Sequence, residues 1–181
     1  MKAWHNTYLD PSTRILIHDG LLIEYAPGCV IEADLARYSE FRGAAIARLL
    51  SPQHTAVSRT ALWIHTGFLY KDFMPRLCTA HPNSSQPHVV SRRAVGDDCC
   101  QTIGGARVTI PACTAFELLL QEKPEYAWEG IRALYDAHLI TPDDIAEHIN
   151  HDSARNGSRK VRAIFEELSR NPSPREMSVN D

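Results

Sequence analysis

The sequence "GGARVTIPACTAFELLL", from Gly104 to Leu120, carries the clearest local signals in the chain. Its two glycines favour a tight turn, and the short β-branched run after them is typical of a strand. Pro111 suits the first position of a helix, where a backbone N–H would have no partner. We therefore expect a strand over Ala106–Thr109 at the edge of a small sheet, followed by a helix whose Phe116 and Leu119 face that sheet. The junction carries no catalytic group of its own.

On both sides of this junction the apolar pattern changes. Upstream, short apolar pieces separated by Gly, Asn, Ser, Pro and Asp predict short strands over Met74–Thr79, His88–Ser91 and Cys99–Ile103. Downstream, apolar residues recur at helical spacing, and Thr141 before "PDD" is typical of a helix cap. The sequence thus predicts an α+β fold, in which a small, mostly antiparallel sheet packs with helices and is followed by a C-terminal helical segment around 158–169.

The first third of the chain predicts a helix, a hairpin and two more helices. Asp10 and Pro11 favour a helix start and Gly20 a helix end, with Ile15 and Leu16 as its apolar face. Strands over 21–25 and 29–31 follow around "APG". The further helices are expected over 35–49 and from Ser58, as cap, to Gly67. A helix followed directly by a hairpin matches the second half of a winged helix-turn-helix, but geometry alone favours the alternative, a helix and a hairpin that only pack on the core.

We divide the chain into a partial winged helix with its recognition helix and wing (1–33), an α+β domain (34–170) and a flexible tail (171–181). The 181 residues are 44% hydrophobic and 23% charged, which is ordinary for a globular protein. The net charge of −3 gives no general support for nucleic-acid binding, so any such site must be a local patch. No apolar run is long enough for a membrane span, and the five cysteines are an odd number. We expect a cytoplasmic protein with reduced thiols.

One group of residues could bind zinc. Cys78 and His81 have a plausible ligand spacing, and Cys99 with Cys100, or His88, could complete four ligands. However, the chain has no C-x-x-C motif, and adjacent cysteines in a strand point to opposite faces. We therefore predict no bound metal and no cofactor.

The residue types needed for catalysis are present but lack a recognisable motif. His54, Ser58 and His65 could suggest nucleophilic catalysis, yet there is no G-x-S-x-G elbow. The acids form no recognisable nuclease motif; they are Asp97, Asp98, Glu117 and Asp136. We therefore predict that the protein is not an enzyme.

A basic cluster lies near the end of the chain, in "ARNGSRKVRAI". It comprises Arg155, Arg159, Lys160 and Arg162. Such a cluster can meet phosphates or the acidic face of a partner. It can equally be the solvated side of an amphipathic helix, and the sequence does not decide between these.

Several segments together resemble a known family. The segments are "HDGLLIEYAPGCVI", "HTAVSRTALWIHTGF", "GARVTIPACTAFELLL", "LYDAHLITPDDIAEHI" and "ARNGSRKVRAIFEEL". They are similar to the AbiEi-type antitoxins of type IV toxin–antitoxin systems and to related winged-helix regulators. The resemblance runs from about Asp10 to Leu168. Relative to the family pattern, Cys113 stands where arginine is frequent, and Glu117 stands where aspartate is frequent.

The resemblance implies a winged helix that is shortened here, and no C-terminal Vsr-like nuclease domain. The wing is "LIEYAPGC", which carries Glu24 and no arginine. In the family, the helix before the wing reads DNA, which implies DNA contacts by Ser12, Thr13 and Arg14. Phosphate contacts would come from the basic cluster.

The leading functional hypothesis is a non-enzymatic, DNA-associated transcriptional regulator or antitoxin-like protein. The alternative is a protein-binding module that neutralises a nucleotidyltransferase-type toxin without binding DNA. The expected partners are accordingly DNA, a cognate toxin or another protein, and no membrane. The sequence does not define the oligomeric state, and a homodimer is compatible with it.

Overall fold

Helices make up most of the chain that the structure describes. The computed structural model describes residues 9–26, 28–50, 54–70, 77–79, 89–91, 95–151 and 157–170. Within these ranges the helices are α1 (Pro11–His18), α2 (Ser39–Ala47), α3 (Ser58–Thr66), α4 (Pro111–Gln121), α5 (Pro124–Asp136), α6 (Pro142–His151) and α7 (Ser158–Arg170). Short 3-10 turns occupy Leu35–Arg37 and Asp97–Cys99. The predicted tail, 171–181, lies outside the described residues.

The strands form a hairpin and a separate five-stranded sheet. The hairpin pairs β1 (Leu22–Ala26) with β2 (Cys29–Glu32). The larger sheet contains β3 (His54–Ala56), β4 (Leu77–Thr79), β5 (Val89–Ser91), β6 (Cys100–Ile103) and β7 (Ala106–Thr109), in the order β5-β4-β3-β7-β6. The fold is α+β, as predicted.

Two details of the predicted sheet need correction. Pairs β3–β4 and β6–β7 are antiparallel, but β3–β7 and β4–β5 are parallel, so the five-stranded sheet is mixed. A parallel pair needs a long crossover, and the connection from β3 to β7 includes α3. Strand β7 is also not at the edge, because Val108 pairs with Ala56 of β3 on one side and Gln101 of β6 on the other.

The junction from β7 to α4 is closed by threonine hydrogen bonds. Ile110 has an extended backbone and caps α4, and Pro111 takes its first position. The Thr114 hydroxyl lies 2.7 Å from the Thr109 hydroxyl and 3.1 Å from the Thr109 carbonyl oxygen. These contacts set the direction in which the helix leaves the sheet. The predicted strand-to-helix junction is confirmed.

Helix α4 is the centre of the main hydrophobic core. Its Phe116, Leu118 and Leu119 are fully buried. They pack with apolar residues of α3, α5, α6 and α7, which are Leu62, Ala127, Ile131, Leu134, Ile145, Ile149 and Val161. We call these five helices the helical core. The predicted burial of Phe116 and Leu119 is confirmed. The predicted packing of these two side chains against the sheet was wrong, because the neighbouring helices surround α4 and the strand residues belong to a separate apolar cluster.

The turn at Gly104 and Gly105, which joins β6 to β7, also packs against α2. Gly104 and Gly105 both have positive φ, at +57° and +85°, which favours glycine. A Cβ on Gly104 would overlap the backbone of α2 at Glu40 and Ala44. The Gly104 N–H donates to the Glu40 carboxylate at 2.8 Å. The turn is thus needed both for its conformation and for its close approach to a helix.

Most helix ends follow the local signals. Asp10 caps α1 by accepting from the Thr13 N–H at 3.1 Å, and Gly67 ends α3 with a φ of +79°. Thr141 and Asp144 cap α6 reciprocally: the Asp144 N–H donates to the Thr141 hydroxyl at 3.3 Å, and the Thr141 N–H donates to the Asp144 carboxylate at 2.7 Å. These predicted caps and ends are confirmed.

Two helix predictions were wrong in detail. Ser58 does not cap α3: Val57 is the capping residue, and the Ser58 hydroxyl donates to Glu122 at 3.1 Å. A tertiary contact has replaced the local cap. The helix expected over 35–49 is interrupted at Tyr38, whose backbone is extended, so a 3-10 turn precedes the separate helix α2.

Candidate functional site

Helix α1 and the hairpin β1–β2 form one continuous unit, which we call the N-terminal unit. Helix α1 packs on β1, and the Leu21 N–H donates to the Leu16 carbonyl oxygen at 2.9 Å. No residue of α1 is buried. The helix therefore lies on the outside of the molecule with most of its surface open to solvent.

The first turn of α1 carries the residues that the sequence assigned to base reading. Ser12 and Arg14 are exposed. The Thr13 hydroxyl donates to the Asp10 carboxylate at 2.5 Å, and Arg14 Nε donates to the Leu9 carbonyl oxygen at 3.1 Å. The bonds from Thr13 hold the pKa of Asp10 below its ordinary value of 3.8. Thr13 thus serves the helix cap, while Ser12 and Arg14 present their side chains to solvent.

The hairpin is anchored to the rest of the fold through the end of its first strand, β1. Tyr25 is buried and stacks on Trp63 of α3, with ring centroids 5.1 Å apart and planes 7° apart. Burial raises the pKa of Tyr25 to about 12. Tyr25 also donates to the Ala45 carbonyl oxygen of α2 at 3.4 Å. This packing fixes the position of the hairpin, and with it α1, relative to the body of the protein.

The outer side of the hairpin is acidic. Glu24 and Glu32 are exposed, and Glu24 accepts from the Gly28 N–H at 2.8 Å near the tip. Acidic side chains at this place repel the DNA backbone. The charge of the hairpin therefore disfavours contact between this side of the N-terminal unit and DNA.

The second predicted group lies on α7. Arg159, Lys160 and Arg162 are exposed, whereas Val161 between them is buried. Lys160 Nζ lies 3.4 Å from the Leu120 carbonyl oxygen, and Arg162 donates to the Asn150 side chain at 2.9 Å. Arg155 lies outside the described residues. The arrangement combines an amphipathic helix with a solvent-facing basic surface.

The structure attaches the two predicted groups to different parts of the fold. Helix α1 packs on the hairpin, whereas α7 packs on α4, α5 and α6. Their contributions to any ligand are therefore separable by mutation.

An exposed apolar surface on the N-terminal side was missed by the sequence. Ile15 and Leu16, predicted as the apolar face of α1, are 60% and 38% exposed. Further exposed apolar side chains in this part of the chain are Leu21, Tyr38 and Phe41. Ile15 and Leu16 are adjacent on α1, and the Tyr38 and Phe41 rings lie 6.2 Å apart, and neighbouring exposed apolar side chains of this kind are typical of binding surfaces. The helical spacing of Ile15 and Leu16 indicated an apolar face, but it could not indicate what covers that face.

The side chains considered for catalysis have structural contacts. His65 Nε2 lies 2.7 Å from the Thr109 carbonyl oxygen, and Ser58 is bonded to Glu122. Asp97 pairs with Arg107 at 2.8 Å, and Gln121 donates to the buried Glu117. The contacts of His65, Ser58 and Asp97 join different elements of the fold, whereas Gln121 and Glu117 both lie on α4.

Comparisons with protein-family models, with curated proteins and with solved structures give no match for this chain. Within the part of the chain that the structure describes, no helix has the length and apolar character needed to span a membrane.

Proposed function

We propose that this protein is a non-enzymatic, cytoplasmic, DNA-associated regulator of the antitoxin-like kind. The observation that carries the proposal is the N-terminal unit, in which an exposed helix with Ser12 and Arg14 in its first turn is followed directly by a hairpin anchored to the core. In helix-turn-helix proteins, N-terminal residues of the recognition helix contact base edges. The sequence resemblance to AbiEi-type antitoxins points to the same role.

In this proposal the two basic groups have different tasks. Arg14 contacts bases or nearby phosphates in the groove, whereas Arg159, Lys160 and Arg162 neutralise phosphates. Most of these contacts are made to phosphates, and few are made to bases. DNA binding is therefore weak, and its affinity decreases strongly as the salt concentration rises. Each neutralised phosphate contributes a slope of about −0.9 in a plot of log affinity against log salt.

The test is fluorescence anisotropy of the purified protein with a duplex from upstream of its own gene and a scrambled duplex of equal length. We expect Arg14→Ala to weaken binding more for the upstream duplex than for the scrambled one. Lys160→Ala and Arg162→Ala should weaken both duplexes equally and reduce the salt slope by about 1 each. Arg132→Ala removes a cation from another exposed helix surface and serves as the matched control.

Two results would overturn this proposal. One is the absence of binding to either duplex at low salt. The other is specific binding that persists well above physiological salt, because that requires many base contacts that one short helix does not supply. An equal loss on both duplexes with Arg14→Ala would remove Arg14 from base reading.

The exposed apolar surface favours a second function, which is neutralisation of a nucleotidyltransferase-type toxin through protein contacts alone. Ile15, Leu21 and Tyr38 are each about 60% exposed, and the acidic hairpin beside them disfavours DNA. The test is calorimetric titration against a nucleotidyltransferase encoded beside this gene. Binding that is lost with Ile15→Ser and retained with Arg14→Ala would support this function over the first.

A further inference from the structure

Three metal-ligating side chains meet at one place that the sequence did not single out. Cys99 ends the 3-10 turn before β6, Cys113 lies in the first turn of α4, and His148 lies on α6. Their ligand atoms all lie within 4.8 Å of one another. Cys113 Sγ is 3.9 Å from His148 Nδ1. These positions are distant in the chain, so only the tertiary fold brings them together.

We propose that Cys99, Cys113 and His148 bind a single zinc ion. In a tetrahedral site with Zn–S of about 2.3 Å and Zn–N of about 2.0 Å, neighbouring donor atoms lie roughly 3.5–3.8 Å apart. The 3.9 Å between Cys113 Sγ and His148 Nδ1 lies just outside that range, and all three donor atoms lie within 4.8 Å of one another, so modest side-chain adjustments bring them into it. Two thiolates and an imidazole are soft donors, which favours zinc over magnesium or calcium.

The surroundings of the three residues suit a thiolate site. Cys99 and Cys113 are 8% and 1% exposed, and they pack with Val57 and Val95. An apolar surrounding of this kind strengthens the attraction between a cation and its anionic ligands. Cys113 also lies near the positive end of the α4 dipole, which stabilises negative charge on its sulfur.

A fourth ligand can come from the side of His148. This residue lines an open surface pocket of about 410 Å³, together with Asp144, Glu147 and His151. Water from this pocket would complete the tetrahedral set, since the converging group supplies three protein ligands. Some zinc sites in proteins have three protein ligands and hold water or a small molecule at the fourth position. In the proposed site, an anion from solution could replace water at that position.

Bound zinc would add metal–ligand bonds between three elements that already pack together, two of which share a hydrogen bond from the Ile110 N–H to the Cys99 carbonyl oxygen at 2.9 Å. The ion would link the turn before β6, the start of α4 and the middle of α6. Because the metal binds the folded chain, it would raise the melting temperature, and the increase would grow with the logarithm of the metal concentration once that concentration exceeds the dissociation constant. This site is independent of the proposed DNA contacts, since none of its ligands lies on α1 or α7.

The experiment uses the full chain, reduced and stripped of metal with a chelator, and titrates it with Co²⁺ and then Zn²⁺. We expect one equivalent of Co²⁺ to give the charge-transfer absorption of thiolate ligation and the visible bands of tetrahedral geometry. Zinc should displace the cobalt and raise the melting temperature. A chelator should reverse both changes.

Variants separate this site from other cysteines. Cys113→Ala and His148→Gln should lose the cobalt spectrum and the thermal shift. Cys100→Ala is the matched control, because Cys100 is adjacent to Cys99 in sequence and is not among the three converging ligands, so it should behave like the wild type. His148 is half-buried, so its variant serves if Cys113→Ala fails to fold.

Two results would overturn the proposal. A folded, reduced protein that shows no cobalt spectrum would leave the contact of Cys113 with His148 as a weak hydrogen bond between packed side chains. Metal binding that His148→Gln leaves unchanged while Cys78→Ala removes it would assign the ion to the other group of cysteines and histidines.

Discussion

The helical core and the N-terminal unit differ in how many of their side chains are buried. Helix α4 buries seven consecutive residues, Cys113 to Leu119, whereas α1 buries none. Burial of apolar side chains is the main favourable contribution to folding. The core is therefore held by many contacts at once, whereas α1 depends on its cap and on the hairpin. The helical core therefore provides most of the stability of the fold, whereas the N-terminal unit leaves side chains exposed and available for binding.

The largest expected effect concerns Phe116 at the centre of the core. Phe116→Ala should lower the free energy of unfolding by about 3–5 kcal/mol, since it removes a fully buried aromatic ring and leaves a cavity. Urea unfolding followed by circular dichroism measures the loss. Ile15→Ala in α1 is the control, and it should change stability by about 0.5 kcal/mol or less because Ile15 is largely exposed. If both variants lowered the free energy of unfolding by the same amount, the helical core and the N-terminal unit would not differ in their contribution to stability.

The second effect concerns a buried ion pair within the core. Arg59 Nη2 lies 2.6 Å from the Glu122 carboxylate, with side-chain exposures of 6% and 3%. The Arg59 guanidinium also lies over the rings of Tyr70 and Tyr126, at 4.7 and 5.1 Å. This pair links α3 to the segment between α4 and α5.

Arg59→Met should cost about 3 kcal/mol or more, because Glu122 is then a buried charge without its main partner. The double variant Arg59→Met with Glu122→Leu should recover much of that loss, since two apolar side chains pack where two charges were. A double variant as unstable as the sum of its single variants would show that the pair acts mainly through packing.

Much of the fold follows from local signals in the sequence. The junction at Pro111, the caps of Asp10 and Thr141 and the end at Gly67 all depend on residues within a few positions of each other. The failures have a common cause. Ser58 left its expected capping role because Glu122, sixty-four positions away, binds its hydroxyl. A contact between residues so distant in the chain cannot be predicted from the residues next to either of them.

The sites show the same limit. The sequence grouped Cys99 with the adjacent Cys100 and with Cys78, because spacing was the only guide. The fold instead brings Cys99 to Cys113 and His148. The exposure of Ser12 and Arg14 could be expected from a polar first turn. The exposure of Ile15 could not, since an apolar residue on a helix is usually covered.

A smaller effect should be confined to the N-terminal unit. Asp10→Ala removes the carboxylate that accepts from the Thr13 N–H and hydroxyl, so α1 should fray while the core stays intact. Hydrogen exchange measured by mass spectrometry should show faster exchange in 11–18 and unchanged exchange in 111–121. Asp10→Asn retains an acceptor and should show little change. Faster exchange in both segments would mean that α1 unfolds together with the core.

The smallest effect concerns pH. The helical core and the N-terminal unit should lose stability in different pH ranges. Burial of His65 lowers its pKa below the ordinary 6.5, and burial of His54 does the same. The unfolded chain therefore binds more protons below pH 6.5, and the stability of the core decreases as pH falls through that range. The Asp10 pKa is lowered from 3.8, so the cap of α1 is complete above that value and is lost only as pH falls below it.

Between these two ranges, at about pH 5, the core should be weaker than at neutral pH while the cap of α1 is still intact. Urea unfolding at about pH 7.5 and pH 5 should show the loss, and amide exchange in 11–18, corrected for intrinsic rates, should not change. His65→Gln cannot become charged and keeps a donor for the Thr109 carbonyl oxygen, so it should reduce the dependence on pH. A variant with the wild-type dependence on pH would place the effect at His54 or another group. Early loss of α1 at pH 5 would show that the cap, and not the core, is the more sensitive to acid.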